Sequence, residues 1–400
     1  MVNSDKVVLV LLDAFRSDYI SKKNTPFLHN LAMNNIFYEK LIPSFGFCER
    51  TEILVGLTPL ESECFTAFGF NPSASPYREY KNLFIFLDGV ESLLKIKIFS
   101  KIIRRLLWIY FRGKKDSFFP FNIPLKMLPT LCLTEDGHRN HIENNNLSIY
   151  KIARNVFDEA STSMSKYLNG DDLHRLDQII ENINSDHDFF PLYISELDVT
   201  GHEFGPFSPE VYRSLRKVDS LLKDFYEKLL ARSQNLTIVF CGDHGMTKVS
   251  KKINILKEIS QFEKETLTSK KFRYFVDSTM CRFWVKNLKN SEIKSLKEKI
   301  LQSYSEYGFF VDRTKYRFHG IPDSDFYGDL IFICHEGILL SPDFFNSENK
   351  HIKGMHGYEP KNINHYGFGI VASYHNKQAH FKKVTPLTEI YKDLRSIFKL

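Results

Sequence analysis

Three apolar runs constrain this chain more than any other feature. Val7 to Leu12, Phe189 to Leu197 and Leu236 to Cys241 are dominated by Val, Ile, Leu and Phe, with little polar alternation. A strand with one wet face alternates apolar and polar residues. A strand without alternation is covered on both faces, as in a parallel sheet. Each run meets an aspartate at or just past its end: Asp13, Asp198 and Asp243. The carboxyl ends of parallel strands are where open α/β sheets hold their ligands. The expected class is therefore α/β, a mostly parallel central sheet with helices on both faces. Taken singly, each aspartate reads equally well as a helix cap or turn residue.

Histidines accompany these aspartates. Asp198 and His202 stand four apart in Asp198-Val199-Thr200-Gly201-His202, where Gly201 and Gly205 are expected to make tight turns. Asp243 and His244 are adjacent in Gly242-Asp243-His244-Gly245-Met246, and His356 lies in Gly354-Met355-His356-Gly357-Tyr358. Three carboxylates and three imidazoles are the mixed donor set that Zn²⁺, with Mn²⁺ or Mg²⁺ as alternatives, accepts. Six donors suffice for two ions at three each, with a position left open on each ion for water or a phosphoryl oxygen.

Between these strands, Pro26 at the first helical position with Thr25 as its cap predicts a helix. Ser208 followed by Pro209 predicts a long helix to about Arg232. Residues 37–42 read as a short strand and 171–184 as a helix. The run from Pro43 to Pro59 reads as a loop and a short helix closed by Gly56. Ser, Cys, Thr and Arg near that helix's start suggest a phosphate-binding corner. Residues 272–345 alternate strand and helix signals and are expected to form a smaller α+β insertion. The catalytic domain is then 1–271 with 346–400. A last strand is expected over 367–372 and a helix from Pro386.

The 400 residues carry a formal net charge of +6, which suits anionic substrates or an anionic surface without choosing between them. Six scattered cysteines with no CxxC pair argue against a disulfide framework. With no signal-peptide pattern at the start, a cytoplasmic location is expected. No nucleic-acid-binding motif is present, and the oligomeric state is left open. A basic aromatic insertion spans about 82–130. Within it, 82–115 mixes apolar residues and Trp108 with Lys95, Lys97, Lys101, Arg104, Arg105, Arg112, Lys114 and Lys115, opposed by Asp88 and Glu91. This pattern fits either a helix packed on the domain or one resting peripherally on the inner membrane face.

Together, the order and spacing of Asp13-Ala14-Phe15-Arg16-x-Asp18, the Asp198-to-Pro206 string, Gly242-Asp243-His244-Gly245-Met246 and His356-Gly357-Tyr358 resemble the alkaline phosphatase superfamily. The type I phosphodiesterase/nucleotide pyrophosphatase branch is the most similar. The resemblance implies one metal held by Asp198, His202 and His356 and another by Asp13, Asp243 and His244. It also implies a nucleophile near the helix after residue 43. Here the chain departs from the pattern, because the branch's Thr or Ser falls on Gly46. A sulfatase-like register also falls on Gly46, a glycerol-phosphate transferase register gives Cys48, and a GPI ethanolamine-phosphate transferase register gives Ser44. Cys48 is the first choice and Ser44 the second; direct attack by metal-activated water is the alternative. Arg50 or Arg16 is expected to clamp phosphoryl oxygens, or else to pair with a local acid such as Asp18. Thr200 and Tyr358 are expected to line the substrate pocket. The implied activity is metal-dependent hydrolysis of a phosphoester, most naturally a phosphodiester. Alternatives are phosphoalcohol transfer to a glycan or lipid at a membrane, a sulfatase-like hydrolase, or a non-catalytic metal-dependent binding domain.

Overall fold

The computed structural model describes residues 6–94, 97–114, 117–134, 142, 145–153, 155–157, 172–233, 235–266, 272–346, 351–373 and 379–398. The chain divides into two compact units, one formed by 1–62, 139–249 and 352–400, the other by 63–138 and 250–351.

The first unit is built on a six-stranded sheet. Its strands are β1 (Lys6–Leu12), β2 (Ile36–Ile42), β3 (Phe189–Ile194), β4 (Leu236–Gly242), β5 (Gly367–Ser373) and β6 (His380–Pro386), in the order β6-β2-β5-β4-β1-β3. β1 runs parallel to both β3 and β4, and β6 parallel to β2, while β5 is antiparallel to its two neighbours. The three mutually parallel strands β4, β1 and β3 end level: Leu12 pairs with Ile194 on one side and Gly242 on the other. β6 carries the alternating, mostly exposed sequence His-Phe-Lys-Lys-Val-Thr-Pro of an edge strand, which is why the apolar-run criterion passed it over.

The longer helices among its described residues are α1 (Pro26–Asn34), α2 (Glu49–Val55), α3 (Asp172–Asn182), α4 (Glu196–Phe204), α5 (Pro209–Arg232) and α6 (Glu389–Ile397). Successive strand residues point to opposite faces, so β1 feeds two cores. Val8, Val10 and Leu12 pack with side chains of α1, α3 and α5. Val7, Leu9 and Leu11 pack with Ile53, Leu54 and Val55 of α2 and Ile390 and Leu394 of α6. Unbroken apolar runs are therefore required, since a polar residue at either parity would be buried. Asp171, the expected start of α3, lies outside the described residues.

Two local expectations are corrected. β3 stops at Ile194, and Asp198 and Gly201 lie within α4 rather than in a turn; only Gly205 leaves the helix, at φ 86°. Thr25 does not cap α1, because its hydroxyl donates to Tyr19 O. The cap comes instead from Asp219 of α5, whose carboxylate accepts from Phe27 N and Leu28 N, each at 3.0 Å.

The second unit, 63–138 with 250–351, contains the expected insertion at 272–345 together with the whole segment at 82–130. Its four-stranded antiparallel sheet runs in the order Gly308–Asp312, Leu330–Cys334, Met280–Trp284, Arg273–Val276. Buried Arg282 explains the larger extent. It pairs with Asp277 at 2.7 Å and donates to Phe68 O at 2.7 Å, joining the early segment to the sheet. The helices Lys81–Leu94 and Lys97–Phe111 belong to this unit. Arg104, expected on a solvated basic face, is buried and bonds Glu91 at 2.9 Å. Lys95 and Lys115 lie outside the described residues.

Candidate metal centre

The site is assembled at the level carboxyl ends of the central strands. Asp13 follows β1 directly and Asp243 follows β4, so the two carboxylates leave adjacent strands at the same height. Asp243 Oδ1 accepts from Ala14 N at 3.2 Å and from His244 N at 2.8 Å. Ala14 has φ 56°, a left-handed conformation unusual for a residue with a side chain. Such strain persists where surrounding structure over-determines it.

Asp198 and His202 are one turn apart on α4, hence on one face, with His202 Nε2 at 3.1 Å from Asp198 Oδ1. His356 arrives on a loop pressed against α4. A Cβ on Gly354 would lie 2.3 Å from Gly201 O, so only glycine permits this approach. His356 Nε2 is 3.8 Å from Asp198 Oδ1, and its ring stacks on His244 at 4.0 Å between centroids. His244 Nε2 is 3.0 Å from Asp13 Oδ1.

The six donors form two triads, Asp198/His202/His356 and Asp13/Asp243/His244, each with one donor atom per residue within 4.8 Å of the others. Two imidazoles are pre-oriented. His202 Nδ1 donates to Gly354 O and His244 Nδ1 to Gly245 O, each at 2.8 Å, leaving Nε2 to face the centre. This backbone anchoring is the usual outer support of metal-ligating histidine. Among the described residues, buried His356 Nδ1 finds no hydrogen-bond partner. The donor set and this orphaned nitrogen both fit divalent cations.

The electrostatics fit as well. Burial, then Asp198 and Asp243, push Asp13 up to about 7. Burial also raises Asp243. Burial alone would raise Asp198, but His202, His356 and His244 outweigh it and hold Asp198 below the ordinary carboxylate range. Burial opposes charge on His244, yet Asp243, Asp13 and Glu49 hold its proton well above the usual histidine range. Burial and His244 push His356 well below that range. Protons shared among crowded acids and imidazoles occupy the place that cations would take.

The remaining candidates divide. Ser44 and Tyr358 line one pocket with Gly46, Glu49, His244 and His356. Ser44 N and Oγ donate to Glu52 at 2.9 and 3.0 Å. Cys48 is 2% exposed at the cap of α2, and neither it nor Arg50 is among that pocket's lining residues. The lining side chain from this turn is Glu49, which composition and spacing had not singled out. Thr200 lines a different cavity with Leu176, Val199 and Lys217, and its hydroxyl donates to Glu196 O. Arg16 is 1% exposed and makes the alternative contact, with the local acid: it grips Asp18 through two bonds of 2.8 and 2.7 Å and donates to Met246 O and Asn364 Oδ1. The guanidinium instead buttresses the turn that presents His244.

The sequence profile of type I phosphodiesterase / nucleotide pyrophosphatase matches residues 132–359. The chain belongs to this family. Family relatives include ectonucleotide pyrophosphatase/phosphodiesterase 1 of Saccharomyces cerevisiae, 25% identical over 278 residues, covering 62% of this chain and 35% of that protein. GPI ethanolamine phosphate transferase 2 of Candida glabrata is 24% identical over 248 residues, covering 60% of this chain and 26% of that protein. The match thus spans about a quarter to a third of each of these relatives. The fold is that of murine ectonucleotide pyrophosphatase / phosphodiesterase 5, solved in complex with AMP. The TM-score is 0.68 at 16% identity, covering 99% of this chain and 95% of that one.

Proposed function

We propose that this chain hydrolyses phosphodiesters, of the nucleotide or pyrophosphate kind named for its relatives, at a pair of divalent cations. The donor set favours zinc, held by Asp198, His202 and His356 and by Asp13, Asp243 and His244. The observation carrying this reading is the convergence of six donors from four separate segments into two triads. Bound cations would polarise the phosphoryl group and stabilise developing charge on oxygen. The chain's own groups orient and attack. The Gly245 and Gly354 carbonyls hold two imidazoles in place. Ser44 is the nucleophile favoured by the pocket lining, and its hydroxyl already donates to Glu52. As Ser44 Oγ bonds to phosphorus, its proton passes to Glu52 and the ester oxygen departs; water then releases the phosphoryl group.

Alanine at Asp243 or His202 should leave the fold intact and lower aryl phosphodiester turnover about 10³-fold or more, the several kcal/mol that metal assistance supplies. Ser44→Ala should fall similarly, while Cys48→Ala stays within about threefold of the parent. Wild-type turnover in both Asp243→Ala and His202→Ala would remove the reading. Loss in Cys48→Ala with full activity in Ser44→Ala would return the nucleophile to the thiol.

A second reading, phosphoalcohol transfer at the cytoplasmic face of a membrane, has its own support. The helices Lys81–Leu94 and Lys97–Phe111 expose Phe86, Leu93, Ile98, Ile102, Leu106, Ile109 and Tyr110. Lys101, Arg105 and Arg112 are exposed among them, while Glu91 is bonded to Arg104. An apolar face edged by unopposed cations suits an anionic lipid interface. Among the described residues no helix is long and apolar enough to cross a membrane.

A further inference from the structure

We propose that Glu49 is a seventh metal ligand, spanning the two triads. The inference rests on the dinuclear reading above and adds a residue that this reading does not use. Glu49 opens α2 and is 9% exposed. One of its carboxylate oxygens lies within 4.8 Å of a ring nitrogen of His244 and of one of His356, which are themselves within that distance of each other. His356 belongs to one triad and His244 to the other, so the carboxylate stands beside one donor of each and could serve an ion held by either. A carboxylate has two oxygens and can serve two cations at once, which neither a hydroxyl donor nor an imidazole nitrogen does as readily.

The backbone of this turn makes room for it. Gly46 has no side chain and lines the same pocket as Glu49, His244 and His356. Gly357, at φ 80°, carries the chain away from His356, and a Cβ there would meet the Phe47 ring at 2.3 Å. Phe47 in turn packs edge-on against His356 at 5.6 Å between centroids. The segment bearing Glu49 is thereby packed against the loop bearing His356.

Charge balance points the same way. Three aspartates against two divalent cations leave one positive charge, and the Glu49 carboxylate neutralises it. A neutral centre favours a singly charged diester over a doubly charged monoester, in keeping with the proposed substrate class.

The test uses metal-free full-length protein titrated with Co²⁺ and Zn²⁺, following heat and the cobalt absorption spectrum. The parent should take up two ions. Uptake of fewer than two would refute the dinuclear reading itself, whatever Glu49 does. Given two ions in the parent, Glu49→Ala should bind at least one of them about tenfold or more weakly and alter the cobalt spectrum. Glu49→Gln, which preserves volume, should shift both readouts in the same direction, with thermal unfolding of the metal-free forms as the folding control. Parent-like affinities and spectra in both variants would overturn the proposal, even if turnover were lost. A thiolate-to-cobalt charge-transfer band that survives in Glu49→Ala and vanishes in Cys48→Ala, with parent affinity in the former, would assign the ligand to Cys48 and overturn it as well.

Discussion

At the scale of single residues, the centre is organised by which protons must leave it. Asp13 holds its proton up to about 7 because it is buried beside Asp198 and Asp243, and His244 holds its own well above the usual histidine range because acids surround it. A protonated carboxylate or imidazolium does not ligate a metal. The sign follows: binding an ion expels protons, so raising the pH through 7 should strengthen apparent affinity. Titration of metal-free protein with Zn²⁺ in two buffers of different ionisation enthalpy should show net proton release at pH 6.5. Affinity that falls with rising pH over this range would contradict the assignment. Arg16 teaches a related lesson. Its place in the N-terminal motif suggested contact with phosphate, yet four of its five N–H donors are taken by Asp18, Met246 O and Asn364 Oδ1. Burial turned a substrate candidate into a buttress.

At the scale of elements, capping shows how far local signals reach. Ser208 and Pro209 open α5 as their types predict, and Ser208 Oγ accepts from Val211 N. The same signature at Thr25 and Pro26 fails, because Asp219 reaches across from α5 and satisfies the first amides of α1. Nothing in the local sequence near Thr25 announces an acceptor 192 residues beyond Phe27. Since Asp219 is buried and serves two donors, Asp219→Ala should destabilise the protein by about 2 kcal/mol, and Asp219→Asn by less, in urea unfolding followed by circular dichroism. Equal stability of Asp219→Ala and the parent would mean that water satisfies α1 instead. α4 carries the same message. The glycines around His202 suggested turns, whereas Gly201 sits inside a helix, where a Cβ would press on the Met246 side chain at 3.2 Å.

At the scale of the whole molecule, the second unit bears on where the chain works. Its helix pair turns Ile103, Leu107 and Phe111 inward and leaves Ile98, Ile102, Leu106 and Ile109 outward. This is an amphipathic helix with apolar residues on both its buried and its exposed sides, which a purely solvated face does not explain. The protein should co-sediment with vesicles containing anionic lipid, less so as salt rises, and Ile102→Glu with Leu106→Glu should abolish this. Sedimentation equal in the parent and the double variant would eliminate the membrane reading without touching the metal centre.

The sequence by itself determined the three parallel strands and singled out the six residues that converge at their ends. Strands buried on both faces must be apolar at every position, so they stand out in the chain, and the aspartates and histidines that follow them fall outside that pattern. What tertiary structure decided was every feature set by contact between distant segments: the capping of α1 by Asp219, the joining of 63–138 to the second unit through Arg282, and the turn of α2 that presents Glu49 and Ser44 while burying Cys48. Periodicity records which residues are covered, because covering is repeated along an element. It does not record what covers them, because that partner is chosen in three dimensions.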